Sequence, residues 1–178
     1  MRGERLLTSP ASSLQACSLL LVSFLSLSTD LVTQAHPDEP LAVAGDSTVG
    51  QVIGLMKAQR GSCVLICNAG GCESQIDGIF TERDALRWMA AGGSPTQSVR
   101  GLMTPAPKVL HAKDTVGDAI ELMAEGHYRH LPIVDDEGAP VAVAAVGGIV
   151  HYLVEHFPQT IYTLPPEPGR TYETREGA

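Results

Sequence analysis

Nine residues recur in this chain at a fixed interval of 67: Thr48–Met56 (TVGQVIGLM) can be laid over Thr115–Met123 (TVGDAIELM), with six of nine positions identical. Self-similarity at such an interval constrains the architecture more than any composition does, because each copy must be one supersecondary unit. Both copies place apolar residues at i, i+3, i+4 and i+7: Val49, Val52, Ile53 and Met56, then Val116, Ala119, Ile120 and Met123. That spacing predicts a helix with one buried face. Ser47 and Asp114 stand in front as expected N-caps, whose side-chain oxygens can accept an orphan backbone N–H.

The same order of signals then follows twice. A short apolar strand is expected at Val64–Cys67 and at Leu131–Val134. Turn residues come next, Asn68–Gly71 and Asp135–Gly138. A second strand is expected at Ile76–Phe80 and Val141–Ala145, and then a helix at Glu82–Ala91 and roughly Ile149–His156. Gly92 and Gly93 close the first of these helices, and Pro158 stops the second. With extended entry segments near Pro40–Val43 and Pro107–Leu110, each unit reads strand–helix–strand–strand–helix. Neither unit is large enough to cover its own thin sheet, so the two are expected to pack sheet against sheet. The expected boundaries are a poorly ordered extension at 1–35, a first unit at 36–93, a linker at 94–100, a second unit at 101–157 and an extended Pro-rich tail at 158–178.

Composition narrows the function. The chain has 178 residues, 44% of them apolar, and a formal net charge of -8 without any dense Lys/Arg stripe. A phosphate backbone would be repelled on balance, so nucleic acid is not an expected partner. One local basic site remains compatible with that charge. Met1–Arg5 and the apolar stretch within Ser18–Ser28 make an incomplete signal-peptide pattern, interrupted by serines and too short to span a bilayer. The expected location is cytoplasmic, with secretion as the minor alternative and no membrane partner. Cys63, Cys67 and Cys72 lack the paired knuckles of a structural zinc site. They read as two buried strand residues and one turn residue, with a Cys67–Cys72 bridge open only to an oxidising compartment. His36, His111, His151 and His156 are scattered, and no P-loop, dinucleotide fingerprint or Ser-His-Asp order is present. Glu82 and Asp84, two residues apart, do not share a helix face for acid–base work. No metal, catalytic residue or catalytic cofactor is expected.

Thr81 and Asp84 sit where a strand is expected to become a helix. A hydroxyl and a carboxylate so placed can hold the vicinal hydroxyls of a ribose beside the positive end of the helix. They can equally be an N-cap and a first-turn acid.

Gly78–Asp84 (GIFTERD) resembles the adenosyl-binding signature of cystathionine-β-synthase (CBS) domains, glycine–apolar–x–Ser/Thr–x–x–Asp. Thr104 in Leu102–Pro105 and the segment Tyr128–Val134 look like that family's entry segment and second strand, and Tyr162–Glu167 resembles the tail that follows such pairs. The resemblance covers roughly Asp38–Phe157. It implies an α/β (α+β) fold, a tandem CBS-domain pair or Bateman module of two βαββα repeats related by a pseudo-two-fold. It also implies a regulatory module, not an enzyme, which binds an adenosine-containing ligand (AMP, ADP or ATP, with NAD and S-adenosylmethionine as further candidates). The implied site joins Ile79, Thr81 and Asp84 of the first unit to Thr104, Tyr128, Arg129 and His130 of the second. Arg129 and His130 are the implied anion partners, and Tyr128 a surface for the base. The second motif, Ala142–Gly148, has Ala145 and Gly148 where the hydroxyl and carboxylate should be, faced by the uncharged Gly61, Ser62 and Cys63. One competent site per chain is therefore expected. A homodimer and an unidentified regulated protein are the implied partners, with Leu86, Trp88, Met89, Val150, Tyr152 and Leu153 read equally as the dimer face or as internal core. The alternative reading is a ligand-free dimerisation scaffold with a vestigial pocket.

Overall fold

Each nine-residue repeat folds as a helix whose first turn is closed by its own threonine. In the computed structural model, which describes residues 27–68 and 71–158, α1 spans Val49–Gln59 and α3 spans Val116–Gly126. Thr48 and Thr115 are the N-caps, one residue later than expected. Each threonine hydroxyl accepts from the backbone N–H three residues on, while Gln51 or Asp118 accepts from the threonine N–H. This reciprocal arrangement satisfies two orphan donors together. Ser47 and Asp114 are otherwise engaged, their carbonyls accepting from Val99 and Val32. Both helices end on a left-handed residue, Arg60 or His127, with φ 54° in each case.

The strands are β1 (Ala42–Ala44), β2 (Cys63–Cys67), β3 (Ile76–Thr81), β4 (Thr104–Pro105), β5 (Leu110–His111), β6 (His130–Val134) and β7 (Pro140–Ala145). Helix α2 (Glu82–Ala90) follows β3, and α4 (Val146–His156) follows β7. One sheet has the order β1-β2-β3-β4 and the other β5-β6-β7. In each, the first pairing is parallel and the next antiparallel, with a register shift at Ile66/Cys67 and again at Ile133/Val134. The repeat thus extends to its irregularities.

Both faces of β2 are covered, which is why it is apolar throughout instead of alternating. Val64 and Ile66 join Phe80, Val49 and Val52 under the first unit's helices. Cys63, Leu65 and Cys67 turn the other way, to Ile79 and to Val143 of β7, so the two sheets meet across this layer. Leu131, Ile133 and Ala144 close the second unit's core against Val116, Ala119 and Ile149. Burial lifts the Cys63 thiol to about 12 and the Cys67 thiol to about 11. Cys63, Cys67 and Cys72 are free thiols, so no Cys67–Cys72 bridge is formed.

The two units also exchange segments, of which the resemblance implied only that Thr104 meets the first motif. Residues 27–35, expected in a loose extension, pack on the second unit: Val32 is fully buried and Ala35 nearly so in that core. The Val32 N–H donates to Asp114 and the Val116 N–H donates to Asp30, both at 2.9 Å. The Tyr152 hydroxyl also bonds the Asp30 carboxylate. Residues 97–105, expected to be linker and second unit, complete the first. The Val99 N–H donates to Ser47 and the Val49 N–H donates to Gln97, again at 2.9 Å. Val99 is fully buried there, and β4 pairs with Gly78 and Ile79 of β3. Residues 1–26 and the tail beyond Pro158, with Cys17 and Tyr162–Glu167, lie outside the described residues.

Two further expectations change. Helix α4 begins at Val146, three residues earlier than expected, because the chain passes from β7 into the helix through Ala145 without a turn. Of the six residues expected on a dimer face, Tyr152 is core at 1% exposure, and Trp88 and Leu153 are partly buried against their own cores. Leu86, Met89 and Val150 remain exposed, at 63%, 53% and 51%.

If the exchanged segments complete the cores, Val32→Ala and Val99→Ala should each destabilise the chain by about 2 kcal/mol, although both lie outside the repeated βαββα frame. Urea unfolding would measure this; a change below about 0.5 kcal/mol for either variant would contradict the packing described.

Candidate functional site

The first helix of the motif starts where the two units meet, and that placement creates a cleft. Thr81 ends β3 and caps α2, so its side chain and that of Asp84 emerge at the edge of the sheet facing the second unit. The exchanged strand β4 brings Thr104 alongside Ile79. From the other unit, the left-handed turn at His127 ends α3 and leads through Tyr128 and Arg129 into β6 at His130. The Tyr128 ring lies over Gly126, where a Cβ would stand 1.9 Å from it, so no larger residue fits beneath the ring. The result is a cavity of about 400 Å³ lined by all seven of the residues singled out in the sequence: Ile79, Thr81, Asp84, Thr104, Tyr128, Arg129 and His130.

Their individual states differ from one another. Thr81 and Asp84 form a complete capping box: the Thr81 hydroxyl donates to Asp84 Oδ2 at 2.7 Å, and the Thr81 N–H reaches the same oxygen at 3.0 Å. The Asp84 N–H returns to the Thr81 hydroxyl at 3.4 Å. The modest reading of this pair as cap and first-turn acid is therefore realised. Asp84 Oδ1 is left with only a 3.5 Å contact to Arg87, whose own side chain is largely exposed. A further hydroxyl can be accepted at that oxygen.

His130, one of the two implied anion partners, sits at the seam between the units. Burial holds its pKa below the usual 6.5, assisted by Arg129 and Arg83 and opposed by Asp38 and Glu82. Its Nε2 lies 2.7 Å from the Ser62 hydroxyl. That contact ties β6 of the second unit to the start of β2 in the first.

Further positive charge lies close by. Arg83, Arg87 and Lys108 line the cleft beside Arg129, so four cations face Glu82 and Asp84 in a chain that is acidic as a whole. Such a local field concentrates small anions despite the net charge. Sequence reading passed over Arg83 and Arg87, although their mutual i, i+4 spacing puts them on one face of α2. Lys108 carried no signal, because only the strand exchange brings it there.

The related position in the second unit is differently built. Ala145 caps α4 without any side-chain hydrogen bond. A Cβ on Gly148 would stand 2.4 Å from the His36 carbonyl and 2.8 Å from that of Ala35. The chain's own exchanged segment thus runs where the carboxylate of the first motif would be. An open depression remains there, bordered by His36, Asp38, Ser62, Glu82, Arg129 and His151. Among the described residues, no helix is long and apolar enough to cross a membrane.

Comparison with known proteins gives the same two-fold division. The CBS domain family model matches residues 30–91 and 99–155. The meiotically up-regulated gene 70 protein of Schizosaccharomyces pombe is 34% identical over 111 residues, which are 61% of this chain and 15% of that protein. A CBS-domain containing protein from Agrobacterium tumefaciens superposes with a TM-score of 0.61 at 26% identity, covering 69% of this chain and 92% of its own. A CBS domain protein from Pyrobaculum aerophilum, solved in complex with AMP, gives 0.62 at 18% identity over 70% of this chain and 98% of its own. At that identity the likeness concerns the fold alone. The matched family residues begin at 30 and at 99, so each includes the exchanged segment ahead of its own unit.

The depressed His130 pKa has a consequence for stability. In the unfolded chain the imidazole takes a proton near pH 6.5, whereas the folded state resists it. The stabilisation is thus present above 6.5 and lost as pH falls through the lower folded value. Thermal melting between neutral pH and about pH 5 should show a drop that is smaller in His130→Asn, which retains a partner for Ser62. An identical pH dependence in both proteins would contradict this.

Proposed function

This chain belongs to the CBS-domain family, and from that premise we propose that it is a regulatory sensor module that binds one adenosine phosphate per chain in the inter-unit cleft. The observation that carries the reading is the joint occupation of one cavity by Thr81 and Asp84 of the first unit and Tyr128 and Arg129 of the second, with three further cations, Arg83, Arg87 and Lys108, around them. Asp84 Oδ1 and the Thr81 hydroxyl address the ribose, Tyr128 and Ile79 the base, and Arg129 with Arg83, Arg87 or Lys108 the phosphate. A cationic adenosyl ligand such as S-adenosylmethionine fits this field less well than AMP, ADP, ATP or NAD. The AMP complex of the Pyrobaculum aerophilum protein supports the same choice by likeness of fold.

Sensing requires that the nucleotide prefer one arrangement of the units over another. A ligand held by both units does this, because its contacts are complete only when the seam is closed. The regulated protein, or a further domain of this one, would read that state. Homodimerisation through the exposed Leu86, Met89 and Val150 is part of the proposal. One observation favours a second reading, a scaffold with a vestigial pocket: the Thr81–Asp84 box is fully satisfied without any ligand.

A thermal-shift and calorimetric panel of adenosine, AMP, ADP, ATP, NAD and S-adenosylmethionine separates the readings. A sensor gives saturable stabilisation with one site per chain. Asp84→Ala should weaken AMP binding by at least about tenfold. Arg129→Ala should weaken AMP more than adenosine, because it removes a phosphate partner. Asp84→Asn, which keeps an acceptor for the Thr81 N–H, controls for loss of the cap. Absence of any ligand-induced shift would leave the scaffold. Separately, Leu86→Glu combined with Met89→Glu should turn a dimer into a monomer by light scattering; an unchanged mass would reject that face.

A further inference from the structure

The exchanged segment brings His36 to the exposed face of α4, beside two residues more than a hundred positions away in sequence. We propose that His36, His151 and Glu155 form a binding site for a divalent transition-metal ion of the zinc class. His36 Nε2 lies 2.7 Å from Glu155 Oε2, and His151 Nε2 lies 3.3 Å from Glu155 Oε1. The two imidazoles stack face to face at 4.3 Å between centroids with 20° between planes. One donor atom from each residue falls within 4.8 Å of the others. Ligands about 2.0–2.1 Å from a tetrahedral ion stand about 3.3 Å apart, so modest side-chain rotation brings all three into range.

Several features distinguish this cluster from an ordinary surface ion pair. His151 and Glu155 are four residues apart on α4 and so present one face. His36 is fixed independently, in a left-handed conformation (φ 48°) with its carbonyl closely packed over Gly148. Both histidines converge on different oxygens of a single carboxylate, leaving the outer side open to water. Two imidazoles and one carboxylate suit zinc, nickel, cobalt or copper, whereas calcium and magnesium prefer oxygen alone.

Its consequence is mechanical and electrostatic. An ion held there ties the N-terminal exchanged segment to α4 of the second unit. It also places positive charge at the rim of the second depression, which His36 and His151 border. That depression lacks the hydroxyl and carboxylate of the first motif, so the ion would give it a different chemistry from the nucleotide cleft.

The test uses the full chain without an affinity tag, stripped with a chelator and titrated with Zn²⁺ by calorimetry and with Co²⁺ by visible absorption. The expected result is one ion per chain and a raised melting temperature. Even residues that merely orient a metal ligand are worth 10–100-fold, so His36→Ala and His151→Ala should each cost at least about tenfold in affinity. Glu155→Gln, which preserves shape and helix propensity, should do the same. A variant with Cys17, Cys63, Cys67 and Cys72 all changed to Ser should bind as the natural chain does. Absence of binding at millimolar metal, affinity unchanged in the histidine variants, or loss only with the cysteines would each overturn the proposal.

Discussion

The structure depends on a reciprocal exchange: each unit's core is closed by the segment that runs ahead of the other unit's frame. Val32 fills the second core and Val99 the first, each fully buried and each anchored by the same pair of 2.9 Å backbone hydrogen bonds at an interval of 67 residues. Neither small unit has enough apolar surface of its own to enclose a helix pair and a thin sheet. The exchange supplies the missing part and at the same moment fixes how the units face each other. The apolar layer of Cys63, Leu65, Cys67, Ile79 and Val143 then seals the seam between the sheets.

The cleft is a result of that geometry. Once β4 lies beside β3, Thr104 and Lys108 come to the mouth of the Thr81–Asp84 helix, and the seam sets Arg129 opposite. The same exchange acts differently on the other side. There the Ala35 and His36 carbonyls pass so close to Gly148 that no side chain can project from it. A near-symmetric backbone thereby carries two unequal depressions. One is basic and furnished with the Thr81 hydroxyl and the Asp84 carboxylate; the other is bordered by histidines.

Much of this was legible in the residues. The repeat located both frames, and the strands came within one residue of Cys63–Cys67 and His130–Val134, because continuous apolar runs and turn residues are local signals. The caps were displaced by one residue, since Ser47 and Asp114 are if anything better cap types than Thr48 and Thr115. Only the capping-box partners Gln51 and Asp118 decide between them. Apart from Thr104, which the resemblance set beside the first motif, the exchange was not legible, because the segments around Val32 and Val99 are too short to show periodicity and their partners are distant. For the same reason Lys108 and the His36–His151–Glu155 group escaped notice. The state of His130 depends on burial and on Ser62, neither of which a sequence displays.

The proposed sensor holds a single nucleotide jointly with both units at the Asp84 cleft. Hydrogen–deuterium exchange with and without saturating AMP examines it most directly. Joint binding should increase amide protection at 79–84, 104–108 and 126–130 together, with no change at 142–148. Protection confined to one unit, centred on 142–148, or absent altogether would contradict it.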